Sequence, residues 1–171
     1  MSAAAHRPVL PALMVEDAVR AALLEDWGRA GDITAQATSE EFSKAYDLLA
    51  PLFEKQPSVL IPGNHDTYTA DACAERRIEE LFKPWTQEGS WPRTHMVDEL
   101  AVVAVDVCRS SLLSTGFINT GQLQRLDAKL SSEALKDKPV IIVLHYPLRG
   151  RDGAMYTEWS HCLKNAKGYF H

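Results

Sequence analysis

Length, composition and charge limit what this chain can be. Its 171 residues (19.0 kDa) give room for one ordinary domain, and 46% hydrophobic with 24% charged residues are typical of a globular protein that forms a core. The chain has 18 basic and 23 acidic residues, for a net charge of −5, and contains no block of like charges. This composition argues against an extended nucleic-acid-binding surface. A nucleotide held by a metal is still allowed.

The cysteines and the hydropathy pattern indicate the cellular compartment in which the protein is expected. Three cysteines without C-x-x-C spacing argue against a disulfide framework and against a zinc ribbon. Pro8 and Pro11 interrupt the N-terminus where a signal peptide needs an apolar run, and no stretch reaches the roughly 18 apolar residues of a membrane span. We therefore expect a cytoplasmic protein with no membrane partner.

Two helices are predicted in the first third of the chain. Residues 14–26 form an amphipathic helix that ends near Gly28, because four apolar residues share one face: Val15, Val19, Ala22 and Leu23. Thr38 and Glu41 have the spacing of a capping box. A second helix follows them and runs toward Pro57, with its apolar residues at Phe42, Ala45, Leu48, Leu49 and Leu52.

Three short apolar runs predict strands. They are Ser58–Pro62, Leu100–Val107 and Pro139–Leu144, and each has the character of a buried parallel strand. Between the last two runs, residues 122–135 carry a helical stripe of Leu123, Leu126, Leu130 and Leu135. Alternation of strands and helices predicts an α/β fold with a mostly parallel sheet.

Polar residues that suit a metal or a phosphate follow two of these runs. Asn64, His65 and Asp66 come just after the first run and its Gly63, and His145 comes directly after the last. Since ligands bind at the carboxyl ends of strands in α/β sheets, these side chains should meet at one edge. An amide oxygen is a hard metal ligand, and an imidazole exchanges protons near neutral pH. A neighbouring carboxylate can fix the tautomer of that imidazole. A polar turn with a structural histidine is the alternative.

Asp32 completes an ordered set of motifs. By itself, Asp32 is typical of a turn residue or a helix cap. Together, Gly31-Asp32, Gly63-Asn64-His65-Asp66 and His145 resemble the calcineurin-like metallophosphoesterase family, whose motifs run G-D, G-N-H-D/E and a later strand-end histidine. The resemblance covers about Gly31 to His171 and includes the stretches VLIPGNHD, VVAVDV, TGQLQRL and VLHYP.

The resemblance implies a fold, a reaction and roles for five residues. The fold is an α/β metallophosphoesterase-type sandwich. The reaction is hydrolysis of a phosphomonoester or phosphodiester, in a small molecule or a nucleotide, by water activated on two divalent ions of Mn, Fe or Zn. Asp32 would bridge the ions, and Asn64 and His145 would hold the second. His65 would protonate or stabilise the leaving oxygen while Asp66 orients its imidazole.

Two motifs of the family are missing. The family opens on a strand ending in D-x-H, whereas Asp17 and Asp26 are followed two residues later by Val19 and Gly28. The family also needs G-H-x-H, and His171 takes the place just before it. The sandwich is therefore expected to be incomplete, with one metal or none and impaired activity. The alternative is a non-catalytic remnant or binding module, with exposed sheet edges that invite self-association.

The N-terminal segment resembles a different family. Residues 10–34 are similar to the opening of quinolinate phosphoribosyltransferases (nicotinate-nucleotide pyrophosphorylases), in which a helix leads into E-D-x-G-x-G-D-I-T. This predicts an N-terminal helical segment of foreign origin over residues 1–30 and a partial phosphoesterase domain over residues 31–171. A phosphoribosyltransferase fragment is the third hypothesis for function.

One aromatic stretch is a candidate cover for the cleft. Trp85, Trp91 and His95 lie in a segment with prolines between the second and third motifs. Aromatic rings there would be placed to stack on a base or an aryl leaving group.

Overall fold

The computed structural model describes residues 32–55, 57–111, 113–149, 154 and 160–165. The predicted helix over residues 14–26 and the predicted join near Gly31 lie outside these residues. No helix in the described part of the chain has the length and apolar character needed to cross a membrane.

The first described helix, α1 (Ser39–Phe53), confirms the predicted capping box. The hydroxyl of Thr38 accepts from the Glu41 N–H at 3.2 Å, and the Glu41 carboxylate accepts from the Thr38 N–H at 3.2 Å. These bonds satisfy two of the backbone donors that every helix start leaves open. The predicted apolar stripe is buried at Phe42 and Ala45, but Leu48 is 72% exposed. One side of the stripe therefore faces solvent.

Three short helices build an aromatic cluster against α1. They are α2 (Ala70–Ala74), α3 (Arg77–Leu81) and α4 (Lys83–Thr86). Phe82 lies at the centre of the cluster and is fully buried, with the ring of Tyr46 at 5.3 Å in an edge arrangement. Trp85 and Phe53 meet in the same way at 5.4 Å. Edge contacts of this kind add to the free energy gained by burying the rings.

The main sheet joins two predicted strands to one that the sequence did not predict. The strands are β1 (Arg93–Val97), β2 (Leu100–Ala104), β3 (Thr115–Gly116), β4 (Val140–Val143) and β5 (Cys162–Leu163). β2 and β4 pair in parallel, which confirms the α/β class. β1 pairs antiparallel with β2, so the three-stranded sheet has the order β1, β2, β4 and is mixed. β3 and β5 form a separate parallel pair.

Helix α5 (Thr120–Leu130) lies between β3 and β4 in the chain and supplies one wall of the larger core. The side chain of Asn119 caps it by accepting from the Gln122 N–H at 2.8 Å. The predicted helix over residues 122–135 ends early, because the Ser132 hydroxyl binds the Lys129 carbonyl at 2.7 Å and a separate 3₁₀ turn covers Glu133–Leu135. The buried core beside it contains Val103, Val105, Val107, Ile118, Leu126 and Leu135.

The strand predicted at Ser58–Pro62 is wrong as a strand. Prolines at positions 57 and 62 have no N–H to donate to a ladder, and the Leu60 N–H donates to the carbonyl of Trp85 at 3.0 Å. The segment is extended but belongs to no sheet among the described residues. It is still buried, since Ile61 packs with Ala104 of β2. It therefore leads the chain to the sheet edge as the predicted strand would have done.

A buried ion pair connects α3 to β1. Glu79 and Arg93 are both almost fully buried, and the Arg93 guanidinium binds the Glu79 carboxylate and the Thr86 carbonyl. Arg76, which is more exposed, binds the same carboxylate. Burial alone raises the pKa of Glu79, but hydrogen bonding to Arg76 and the charge of Arg93 hold it below its ordinary value. Glu79 is therefore ionised, and its negative charge compensates the buried positive charge of Arg93 on β1.

Glu79→Ala should destabilise the protein by about 3–5 kcal/mol, because the buried guanidinium of Arg93 would lose its counter-charge. Urea unfolding measures the change in the free energy of unfolding. Glu40→Ala is the matched control, since its partner Lys44 and Glu40 itself are both exposed, and it should cost at most about 0.5 kcal/mol. Equal effects of the two substitutions would contradict a structural role for the buried pair.

Candidate functional site

The candidate site begins where two distant chain segments touch at Gly63. A side chain at Gly63 would place its Cβ 2.2 Å from the backbone nitrogen of Asp32 and 2.3 Å from its Oδ1. No side chain fits in that space, so the close approach requires glycine. Asp32 itself has a φ of 56°, in the left-handed region that aspartate tolerates better than most residues. The backbone of the G-N-H-D segment therefore lies directly against the backbone of Asp32.

The carboxylate of Asp66 holds the two segments together. Its Oδ2 accepts from the N–H groups of Gly63 and Asp32, both at 2.9 Å. Its Oδ1 accepts from the N–H and the hydroxyl of Thr34, both at 3.0 Å. Burial raises the pKa of Asp66, and the bonds from Gly63 and Thr34 oppose that rise.

The structure shows no bond from the Asp66 carboxylate to the imidazole of His65, which Asp66 was expected to orient. Both carboxylate oxygens bind the loop backbone and Thr34, as described above. The Nδ1 of His65 lies 2.7 Å from the Ala35 carbonyl instead. Because a carbonyl only accepts, Nδ1 carries a proton, and Nε2 is the other nitrogen of this exposed ring.

Three of the predicted site residues converge on one point. Nε2 of His145 lies 2.8 Å from Oδ1 of Asn64 and 3.5 Å from Oδ2 of Asp32. The other oxygen of Asp32 accepts from the His65 N–H at 2.9 Å, which fixes the carboxylate against the loop. His145 follows β4, and its ring contacts Tyr146 edge-on at 4.9 Å. The structure thus brings Asp32, Asn64 and His145 together at the carboxyl edge of the sheet.

The donor atoms at this point suit one divalent cation. A carboxylate oxygen, an amide oxygen and an imidazole nitrogen form a mixed set of the kind that Mn²⁺, Fe²⁺ and Zn²⁺ accept. The side chains of Asp32 and His145 are partly open to solvent, which leaves room for water or a substrate oxygen. Within residues 32–165, as far as the structure describes them, no three His, Cys, Asp or Glu side chains form a metal-binding group.

Asp106 lies near the same edge and was not among the residues that the sequence analysis singled out. Ala104 of β2 is paired with Val143 of β4, and Asp106 and His145 each follow that pair by two residues. Burial raises the pKa of Asp106 to about 7, although its carboxylate accepts from the Cys108 N–H at 2.9 Å. The pattern VVAVDV predicts that Asp106 lies at the end of a strand. The rise in its pKa, however, depends on burial by neighbouring elements, which the pattern does not reveal.

The predicted aromatic cover does not form. Trp85 belongs to the aromatic cluster, Trp91 packs beneath the guanidinium of Arg93 at 3.9 Å, and His95 is buried in β1. Burial lowers the pKa of His95. All three side chains are less than 10% exposed, so none of them offers a ring to a ligand.

The raised pKa of Asp106 predicts a pH dependence of stability. Between about pH 4 and about pH 7 the unfolded chain loses the proton of Asp106 while the folded chain keeps it, so this group's contribution to stability falls as the pH rises through that window. Asp106→Asn keeps an acceptor for the Cys108 N–H and has no proton to lose. The free energy of unfolding of the variant, relative to the parent protein, should therefore increase from pH 4 to pH 8.

Urea unfolding across this pH range, with EDTA present, measures the difference. Asp127→Asn, on the exposed surface of α5, is the control and should leave the pH profile unchanged. A constant difference between Asp106→Asn and the parent protein would refute the raised pKa.

A comparison with known protein families matches most of the chain. The model of the family described as calcineurin-like phosphoesterase matches residues 29–170. No individual curated protein matches the chain. The matched region includes Asp32, the loop held by Asp66 and His145, together with every described element of the fold. The chain therefore belongs to the calcineurin-like phosphoesterase family.

Proposed function

We propose that this protein is a metal-dependent phosphoesterase, which hydrolyses a phosphate ester of a small molecule or a nucleotide with an activity reduced by an incomplete set of ligands. The observation that carries the proposal is the convergence of Asp32 and Asn64 on Nε2 of His145, at 3.5 and 2.8 Å. Membership of the phosphoesterase family supports the class of reaction.

Asp32, Asn64 and His145 would hold one divalent cation. When bound, the cation supplies a Lewis acid that polarises the phosphate and lowers the pKa of bound water. The protein positions these donors through backbone contacts, since the Asp32 carboxylate is fixed by the His65 N–H. A pre-set position lowers the entropy that the ligands lose when the cation binds.

His65 supplies the proton for the leaving group. In the net reaction the ester P–O bond breaks, a water oxygen bonds to phosphorus, and the leaving oxygen takes up a proton. The bond from Nδ1 to the Ala35 carbonyl fixes the ring and keeps the proton on Nδ1. The doubly protonated imidazole therefore delivers a proton from Nε2 to the leaving oxygen, and the attacking water returns one to the ring. Asp66 acts on this chemistry only through the loop, by holding Gly63 and Asp32 in place.

The incomplete donor set favours weak metal binding. Asp32 is one carboxylate and His145 one imidazole, and Asn64 contributes a neutral amide. A cation held by so few charged ligands is less well compensated for its lost hydration. Chain segments outside the described residues include further acidic and histidine side chains, so the stoichiometry in solution is the decisive quantity.

The first test measures the binding of Mn²⁺ to the full chain. The electron paramagnetic resonance signal of free Mn²⁺ reports how much of the ion remains unbound. We expect near one ion per chain. Asp32→Asn should weaken binding at least about tenfold, because it removes the one carboxylate among the three donors. Asparagine tolerates the left-handed backbone at position 32, so this substitution removes the charge and keeps the turn.

Asp127→Asn is the matched control for this test, since Asp127 lies exposed on α5, and it should leave Mn²⁺ binding unchanged. Two ions per chain would show that residues outside the described part complete the centre of the family. No bound Mn²⁺, or equal binding by Asp32→Asn, would reject the metal site and favour a non-catalytic member of the family.

The second test separates the role of His65 from that of the metal. His65→Asn should lower kcat by about 10²–10⁴ for an alkyl phosphate, whose leaving oxygen needs a proton, and by much less for 4-nitrophenyl phosphate. Mn²⁺ binding should not change. His161→Asn is the matched control, because His161 is another exposed histidine. An equal loss of kcat with both esters would show that His65 does not act as the acid.

A further inference from the structure

An exposed aromatic ring lies beside the candidate site. The ring of Tyr68 is nearly parallel to that of His65, with an angle of 14° between the planes and 6.3 Å between the centroids. Tyr68 is 41% exposed, so its ring is accessible to a ligand. Its position in the chain is two residues after Asp66, so it belongs to the same loop as the proposed proton donor.

The backbone of Tyr68 is held on both sides. Its N–H donates to the His65 carbonyl at 3.4 Å, and its carbonyl accepts from the Ser110 hydroxyl at 3.2 Å. Thr67 is buried, with its hydroxyl 3.3 Å from the Gly63 carbonyl, and Thr69 caps α2. The exposed ring is therefore carried by an ordered turn rather than by a loose loop tip.

Among the described residues, the other aromatic rings are buried or already contact another side chain. Trp85 and Trp91 are buried, as described above. Phe117 is 43% exposed, but the guanidinium of Arg109 lies over its ring at 5.3 Å. The ring of Tyr146 packs edge-on against His145 and is buried. Tyr68 is thus an exposed ring in the loop of the proposed proton donor, and its ring contact in the structure is with that donor.

We propose that Tyr68 is a specificity-determining residue, whose ring stacks on the leaving group, and that the substrate is a phosphate monoester of a flat aromatic alcohol. This inference rests on the proposed function. A leaving oxygen that receives its proton from His65 lies beside that imidazole, and a flat group attached to this oxygen can extend across the parallel ring of Tyr68. Stacking on an exposed aromatic ring tolerates many flat partners and favours them over puckered ones of equal size.

The test compares two ligands that differ in flatness and little in size. Phenyl phosphate and cyclohexyl phosphate are titrated by calorimetry into the full chain saturated with Mn²⁺, and inorganic phosphate is titrated as the reference. We expect phenyl phosphate to bind about tenfold more tightly than cyclohexyl phosphate. Tyr68→Leu should remove this preference and leave the affinity for inorganic phosphate unchanged.

Tyr68→Phe is the conservative variant, because it keeps the ring and loses only the hydroxyl, and it should keep the preference. Phe117→Leu changes an exposed ring on another loop and should also keep it. Equal affinity of the parent protein for the two esters, or a preference that survives Tyr68→Leu, overturns the inference while the proposed function stands. Failure of inorganic phosphate and both esters to bind overturns the two together.

Discussion

The candidate site depends on the hydrogen bonds that one buried carboxylate accepts. Asp66 joins its own loop to a segment 34 residues earlier in the chain, through the N–H groups of Gly63, Asp32 and Thr34. A buried N–H without an acceptor costs about 1–3 kcal/mol, so the loss of Asp66 would leave several such costs at once. The position of Asp32 opposite His145 follows from these bonds. The geometry of the donors is therefore set by the protein and does not need a cation to form it.

The sequence predicts those parts of the fold that local pattern determines. The capping box at Thr38 and the parallel pairing of β2 with β4 follow from spacing and from apolar runs, and both are confirmed. β1 was missed because its buried positions carry Arg93 and His95, which no hydrophobic pattern identifies. Arg93 is tolerated there only because Glu79 arrives from a distant helix. Burial that depends on a tertiary partner cannot be predicted from the strand's own residues.

The same distinction applies to the candidate site. That Asn64 and His145 meet was predictable, because both follow apolar runs that lead to one edge of the sheet. Asp32, which only the order of the motifs added to the set, does lie with them. What each side chain does was less predictable. Asp66 was expected to bind the imidazole of His65, but three backbone N–H groups and a hydroxyl occupy its oxygens instead. The N–H groups of Asp32 and Thr34 are far from Asp66 in the chain, so the sequence alone does not identify them as its partners.

Under the proposed function, the two sides of the reaction differ in how completely the described residues support them. On the leaving-group side, the ring of His65 is fixed through Nδ1 and the backbone of Tyr68 is fixed through its carbonyl, both by hydrogen bonds that need no metal. On the side of the attacking water, the described residues offer Asp32 as the single carboxylate of the converging donors. Selection of a flat leaving group draws on the first side, whereas hydrolysis requires both. Leaving-group selection and turnover are therefore separable in this chain, and weakening the cation site affects turnover more than that selection.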